Sequence, residues 1–335
     1  LRAIVIAGLT LAAAAAPDQR SFANDTKAVF AAGGLQFVST DELWMEEEKL
    51  VVSPSEVAVS YRFRNLTSHD VTITVAFPLP DIDAAEMSET PHSFHGSAHD
   101  GDIFNFRVSV DGRSVAAQFE ARAFAQSGAE VTEVLKKYGV PLVDKGAEGR
   151  SEVWASIERL EPAAIAALEK AGALAPDELH HPAWIVKAAY HWEQKFPASG
   201  TTAIEHRYEP VLGGSEVAVE DFQRPRFTQG WCPDRALANA LKKLPRYEEG
   251  GTHVTASWLE YVLKTGANWA GPISRFRLEI EKGEADFISL CPIPGLSLRK
   301  EGRSFVAEAQ DFMPRADLKV MFISGKCERR PCLRK

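Results

Sequence analysis

Apolar and polar residues alternate with a period of two along much of the chain. Val57, Val59, Tyr61 and Phe63 alternate with Ala58, Ser60, Arg62 and Arg64, and beyond a polar turn at 65–70, Val71, Ile73, Val75 and Phe77 alternate with Thr72, Thr74 and Ala76. This period turns one face of a strand to a core and the other to water. The two runs therefore predict a hairpin, stopped by Pro78 and Pro80. A second hairpin is predicted from 104–110 and 114–121, turning at Asp111-Gly112. Upstream, 35–39 and 43–53 read as strands. Downstream, Trp184, Val186, Ala188, Tyr190 and Trp192 share a face against Lys187, His191, Glu193 and Lys195, and the turn Ala198-Ser199-Gly200 predicts a long aromatic hairpin returning through 202–208. Near the C-terminus two strand-like runs flank Thr265-Gly266-Ala267-Asn268-Trp269-Ala270-Gly271-Pro272, a corner built of turn-forming residues around one indole. After it Phe276, Leu278 and Ile280 alternate with Arg275, Arg277, Glu279 and Glu281, and 286–291, 304–309 and 317–324 read as further strands.

Helical spacing interrupts this pattern. Ser127 and Glu130 have the spacing of a capping box ahead of Val131, Val134, Leu135 and Tyr138, with Gly139 in the place of a C-terminal cap and Glu133 and Lys137 as an i,i+4 pair. A second helix has Pro162 in its first turn, Ile165 and Leu168 inward and Gly172 beyond its end. A third opens at Pro233, turns Ala236, Leu237, Ala240, Leu241 and Leu244 inward and stops at Pro245. The fold class expected is mainly β (α+β): two β-sandwich-like lobes of antiparallel strands with a helical insertion and one further helix. The organisation expected is a signal peptide at 1–23, an N-terminal lobe at 24–125, the insertion at 126–180, a C-terminal β-rich lobe at 181–325 and a basic tail at 326–335.

At 335 residues, with 45% apolar composition and seven Trp, the chain has ample core material. A net charge of −8 without a basic block argues against a nucleic-acid partner. Arg2 precedes a small, apolar run at 3–16 that suits a signal-peptide core and is too short to span a bilayer comfortably. Ser21-Phe22-Ala23 places small residues at −3 and −1, so cleavage is expected between Ala23 and Asn24, delivering a periplasmic or secreted protein without a transmembrane segment. Cys232, Cys291, Cys327 and Cys332 fit two disulfides in an oxidising compartment. Three pairings are possible. Cys327 with Cys332 would close a short tail loop, which leaves Cys232 with Cys291 as the structural bridge.

Candidate chemistry is sparse. His92, His95, His99, Asp100 and Asp102 fall within eleven residues and offer imidazole and carboxylate donors to a divalent metal, although a solvated loop has the same composition. No other cofactor is suggested. His206 and Tyr208 are neighbours on one strand face and are the candidates for general acid or base work. There is no G-x-S-x-G elbow, no H-E-x-x-H and no phosphate-binding glycine loop. Trp44, Trp184, Trp192 and Trp269 would stack on sugars or a partner if exposed, while the alternation turns most of them inward.

The matching segments Asn24-Asp25, Ala31-Ala32-Gly33-Gly34-Leu35, Ala76-Phe77-Pro78-Leu79-Pro80-Asp81-Ile82, Val110-Asp111-Gly112, Trp184 through Pro197, His206-x-Tyr208-x-Pro210 and Thr265-Gly266-Ala267-Asn268-Trp269-x-Gly271-Pro272-Ile273, with Phe312-x-Pro314 and Asp317-Leu318, give the chain its family likeness. It resembles the domain-of-unknown-function family 4424, uncharacterised exported proteins of Gram-negative bacteria. That resemblance implies no activity, cofactor or catalytic residue. More weakly, Arg64-Asn65-x-Thr67, Phe77-Pro78-Leu79-Pro80 and the Val-Asp-Gly turn are similar to the inter-alpha-trypsin (VIT) type of vault-related domain, which implies only a β-sandwich. The function expected is binding or scaffolding of a protein or glycan at the cell envelope, without a motif that argues for an enzyme. The alternative is a hydrolase using histidines and carboxylates, metal-assisted if the histidine loop takes part.

Overall fold

A computed structural model describes residues 24–31, 34–89, 92–93, 104–143, 151–244 and 252–325. In chain order, β1 (Thr26–Ala31), β2 (Gly34–Val38), β3 (Leu43–Val52), β4 (Val57–Asn65) and β5 (Val71–Pro78) precede the short β6 (Ile82–Asp83), α1 (Ala84–Glu89) and β7 (His92–Ser93). β8 (Arg107–Val110), β9 (Arg113–Val115) and β10 (Gln118–Ala125) lead into α2 (Thr132–Lys137), α3 (Glu152–Ile157) and α4 (Pro162–Ala171). β11 (Trp184–Phe196), β12 (Thr201–Tyr208) and β13 (Leu212–Ala218) are followed by α5 (Pro225–Gly230) and α6 (Arg235–Leu241). Then come β14 (His253–Tyr261), β15 (Ile273–Glu281), β16 (Phe287–Leu290), β17 (Arg299–Glu301), β18 (Ser304–Phe312) and β19 (Leu318–Ser324).

The fold is mainly β, as the alternation predicts, and its strands form three sheets. The first runs β10-β11-β5-β1-β2 with β6 on β11, the second β17-β18-β15-β3-β4-β12-β8-β9, and the third β16-β19-β14-β13-β7. β3 and β15 pair in parallel; the other strand pairs are antiparallel. All three sheets take strands from both sides of the segment 126–180, the third through β7.

Two predicted hairpins are corners instead. β4 lies in the second sheet and β5 in the first, and β11 and β12 divide in the same way. An alternating strand reports that one face is buried and says nothing of which strand lies beside it; two such faces can meet across a core as well as side by side. The two corners hold each other. Asn65 N–H donates to the Gly200 carbonyl at 2.9 Å and Ser199 N–H to the Thr67 carbonyl at 2.8 Å. The Asn65 amide also donates to the carbonyls of His69 at 2.8 Å and Phe196 at 3.1 Å. The Asp111-Gly112 turn does join a paired hairpin, β8 with β9.

All three sheets contribute to one main core that includes Phe63, Phe77, Trp184, Tyr261 and Phe276. The central strands of the third sheet are buried on both faces, which the sequence encodes as a change of parity in β14 and an unbroken apolar run in β19. In β14, Val254 and Ala256 face a second, smaller core with Phe222, Phe227, Leu237 and Leu241, whereas Leu259 and Tyr261 face the main one. In β19, Met321 and Ile323 take the small core and Leu318, Val320 and Phe322 the main one.

The helices differ in detail from expectation. α2 begins after Val131, which offers no side-chain cap, so the expected capping box does not form: Ser127 lies in a preceding turn where Gly128 has a positive φ, and Glu130 pairs with Arg122. Glu133 pairs with Lys136, not Lys137. α4 starts at Pro162 and ends on a left-handed Gly172 as predicted. α6 begins after Asp234, whose carboxylate accepts from Leu237 N–H; Leu237 and Leu241 are buried, but Ala236 is exposed. The expected signal segment, His95, His99, Asp100, Asp102, Cys327 and Cys332 lie outside the described residues.

Candidate functional site

Two places gather polar chemistry. The first is sealed inside the main core. Asn24 and Asp25, just ahead of β1, are fully buried together with Glu48 of β3 and His206 of β12. The corner after β14 is shaped to receive them. Asn24 N–H donates to Thr265 Oγ1 at 2.8 Å, the Thr265 hydroxyl donates back to the Asn24 carbonyl at 2.7 Å, and Trp269 Nε1 donates to the Asp25 carbonyl at 2.8 Å. Asn268 Nδ2 reaches Thr26 Oγ1 at 2.9 Å. The Asn24 amide nitrogen lies 3.1 and 3.2 Å from the two Glu48 oxygens, and its oxygen accepts from the Tyr61 hydroxyl at 2.5 Å.

Burial dominates the electrostatics of this centre. It pushes the Glu48 carboxyl up to about 8, with the Asn24 hydrogen bonds opposing and the neighbouring Asp25 reinforcing. Burial likewise raises Asp25, against the opposing effect of His206. Tyr61 and Tyr261 are raised well above the ordinary phenol by burial first and neighbouring oxygens second. His206 Nε2 stands 3.3 Å from Asp25 Oδ1, an ion-pair distance, but off the line of a hydrogen bond. Both Asp25 carboxylate oxygens and both His206 ring nitrogens lack a hydrogen-bond partner among the described residues.

The second place is open. A cleft of about 220 Å³ lies where β6, α1, the segment between β12 and β13, and β14 meet. Trp231, Trp258 and Tyr208 supply aromatic walls, and Asp81, Asp83, Glu86 and Glu260 supply carboxylates. The two indoles are 5.9 Å apart and tilted by 36°. Trp231 is held by its neighbour Cys232, bonded to Cys291, and by the Ser289 hydroxyl, which donates to its carbonyl at 2.7 Å. Lys319 Nζ lies 5.6 Å over the Trp231 ring and 2.7 Å from Glu260. Trp258 lies flush on Gly213, where an added Cβ would overlap the indole nitrogen. Asp83 caps α1 by accepting from Ala85 N–H at 2.9 Å, and Asp81 pairs with Lys187 at 3.1 Å.

A family model described as "Domain of unknown function (DUF4424)" matches residues 23–321. The chain belongs to this family. No curated protein matches this DUF4424 chain. It is similar to a solved structure from Legionella pneumophila described as a "putative nutrient binding protein", at 17% identity and a TM-score of 0.41, over 91% of this chain and 73% of that one. A likeness this distant assigns no ligand to the DUF4424 chain.

Among the residues picked out from sequence, His206 and Tyr208 lie on one face of β12, both buried, but they part company chemically. His206 turns to Asp25 in the core, whereas Tyr208 lines the cleft. His92 lies in β7, opposite Gly213. Among the described residues no group of three or more His, Cys, Asp or Glu is placed to hold a metal ion. Trp184, Trp192 and Trp269 are core residues, and Trp44 is half-buried with Nε1 donating to the Pro272 carbonyl at 2.8 Å. The sequence pattern does not single out the cleft indoles. Trp231 sits beside Cys232, and Trp258 belongs to the even-numbered face of β14, so the bridge and the parity change were the available signals.

Proposed function

We propose that this chain is an exported binding module whose ligand seat is the Trp231–Trp258 cleft, and that it takes one ring-sized terminal unit of a glycan. The observation that carries this reading is the pairing of two half-buried indoles with four carboxylates in a single concavity. A sugar ring offers an apolar C–H face for an indole and hydroxyl donors for carboxylate acceptors, and binding sites combine apolar walls with a few placed polar groups in this way. The volume is below the roughly 300–1,000 Å³ of sites for drug-sized ligands, which suits one ring at the end of a longer chain. The disulfide supports an oxidising compartment, consistent with export. No helix among the described residues is long and apolar enough to cross a membrane.

The excess of carboxylate favours a second reading, an organic ammonium held by cation–π contact and charge. The hydrolase reading draws no support from His206, which is 1% exposed and faces Asp25. The test is titration of Trp fluorescence with mono- and oligosaccharides in one series and quaternary ammonium compounds in another, at two salt concentrations. Saturable, salt-insensitive quenching by sugars that disappears in Trp231→Ala and Trp258→Ala is expected. Saturable quenching only by cations, weakened by salt, replaces the glycan reading with the second. Quenching that survives both substitutions, or none in either series, removes the cleft as the seat.

A further inference from the structure

We infer that removal of the leader before Asn24 completes the protein's core: the α-amino group released there is the buried cation that the Asp25–Glu48 pair calls for. The cleavage itself is ordinary hydrolysis of the Ala23–Asn24 amide. Water adds hydroxyl to the Ala23 carbonyl, the C–N bond breaks, and the Asn24 nitrogen leaves as an amine that takes a proton at neutral pH.

Four observations meet at this atom. The small residues at Ser21 and Ala23 place the expected cut directly before Asn24. Asn24 is fully buried, which is unusual for a residue expected to begin a mature chain, since free termini ordinarily lie at the surface and are poorly ordered unless tied down. Its nitrogen is already engaged inside the protein by Thr265 Oγ1 at 2.8 Å, and Trp269 holds the next carbonyl, so the fold contains a made seat for this end. Around the seat, two fully buried carboxyl groups stand with a single histidine as candidate counter-charge, and both oxygens of Asp25 lack a hydrogen-bond partner among the described residues. Buried carboxylates are tolerated when paired with charge and hydrogen bonds, and costly otherwise. An ammonium group brings one positive charge and three donors, where an uncut amide brings no charge and one donor.

The titratable groups of the centre are Asp25 ahead of β1, Glu48 of β3, Tyr61 of β4, His206 of β12 and Tyr261 of β14. The corner after β14 contributes the neutral Thr265 and Trp269. With the phenols held neutral by burial, the only negative groups of the set are the two carboxyls. The new terminus thus supplies one fixed positive charge to a centre whose two carboxyls are otherwise held towards their protonated forms by burial, and so lets one of them ionise against a partner.

The experiment has three arms on the full chain. Intact mass and N-terminal sequencing of the exported protein should give Asn24 as first residue; a start elsewhere overturns the inference. The native protein should resist labelling of its α-amine by an amine-reactive ester at neutral pH and become labelled in denaturant, whereas ready native labelling overturns it. Finally, chains released from a cleavable fusion to begin at Asn24, or at Ala23 with its amine acetylated so that residue 24 keeps an uncharged amide as in the uncut protein, should differ in Tm by at least about 3 °C, the Asn24 form melting higher. That gap should shrink to below half in a Glu48→Gln background. A gap unchanged by Glu48→Gln means that the extra residue acts by bulk alone, and no gap at all means that the amine contributes nothing; either result overturns the proposal.

Discussion

Asn24 occupies the space a side chain at position 266 would need. A Cβ built there would lie 2.7 Å from Asn24 Nδ2 and 3.2 Å from Pro314 Cγ. Asn24 cannot swing aside without giving up Glu48 and Tyr61. Gly266→Ala is therefore expected to lower the unfolding free energy by about 1–3 kcal/mol, the usual cost of overpacking a core. Gly230→Ala, where an added methyl meets nothing within 4 Å, is the control and should stay within about 0.5 kcal/mol in urea denaturation. A second contact of this kind belongs to the cleft: Gly213→Ala would push the Trp258 indole off β13. Weakened ligand quenching, with Trp emission altered, is the expected result; wild-type affinity would mean that Trp258 has no part in the seat. At this scale the sequence was partly legible. The Thr265–Trp269 corner reads as a built turn and Asn24-Asp25 as a segment of the family likeness, but only the folded chain, across 241 residues of separation, puts Asn24 against Thr265.

At the scale of elements, alternation located the strands and mistook their neighbours. β4 and β5 bury the faces that were predicted, yet they belong to different sheets because the corners at 66–70 and 197–200 interlock through backbone bonds that no side-chain period reports. Burial on two faces was legible in principle: β14 moves its buried positions from even to odd numbers, and β19 is apolar from Val320 to Ile323 without a break, as a strand serving two cores at once must be. The short α5 and α6 carry the small core and deliver Trp231 and Cys232 to the cleft edge. The Cys232–Cys291 bond, expected from the cysteine positions, ties this helical layer to the residue following β16 across a sequence separation of 59. A loop of that length implies about 4 kcal/mol of stabilisation in the chain-entropy account, with measured values commonly nearer 2–4. Cys232→Ser with Cys291→Ser is expected to cost that amount in denaturant titration. It should also reduce cleft affinity at temperatures where the protein remains folded, because Trp231 loses its anchor. Unchanged affinity would show that Ser289 and Lys319 suffice to place the indole.

For the molecule as a whole, the buried centre sets how stability responds to pH, and the state of the N-terminus sets the slope. In a chain continuing through Ala23, Glu48 holds its proton up to about 8 in the folded state, against an ordinary value of 4.5. Between those values the folded chain keeps a proton that the unfolded chain releases. The stabilisation is therefore fully present below about pH 4.5 and is lost as pH rises towards 8. Asp25, also raised, acts in the same direction. At about 1.4 kcal/mol per pKa unit the loss is on the order of a few kcal/mol. A chain that begins at Asn24 places an ammonium group in the same seat, which favours the ionised carboxylates and draws the folded-state values back down. Its stability should then fall much less over the same range. Urea midpoints measured from pH 5 to pH 8 on a chain starting at N-acetylated Ala23 and on the Asn24-start chain decide the matter: a steep decline for the first and a shallow one for the second is expected, while parallel curves would show that the terminus does not reach the carboxyls. The direction also has a consequence for export. As pH falls towards 4.5 the two forms converge in stability, so the advantage of the cut chain is greatest at neutral and mildly alkaline pH, where the uncut chain would have to keep a proton on Glu48 against solvent that readily takes it.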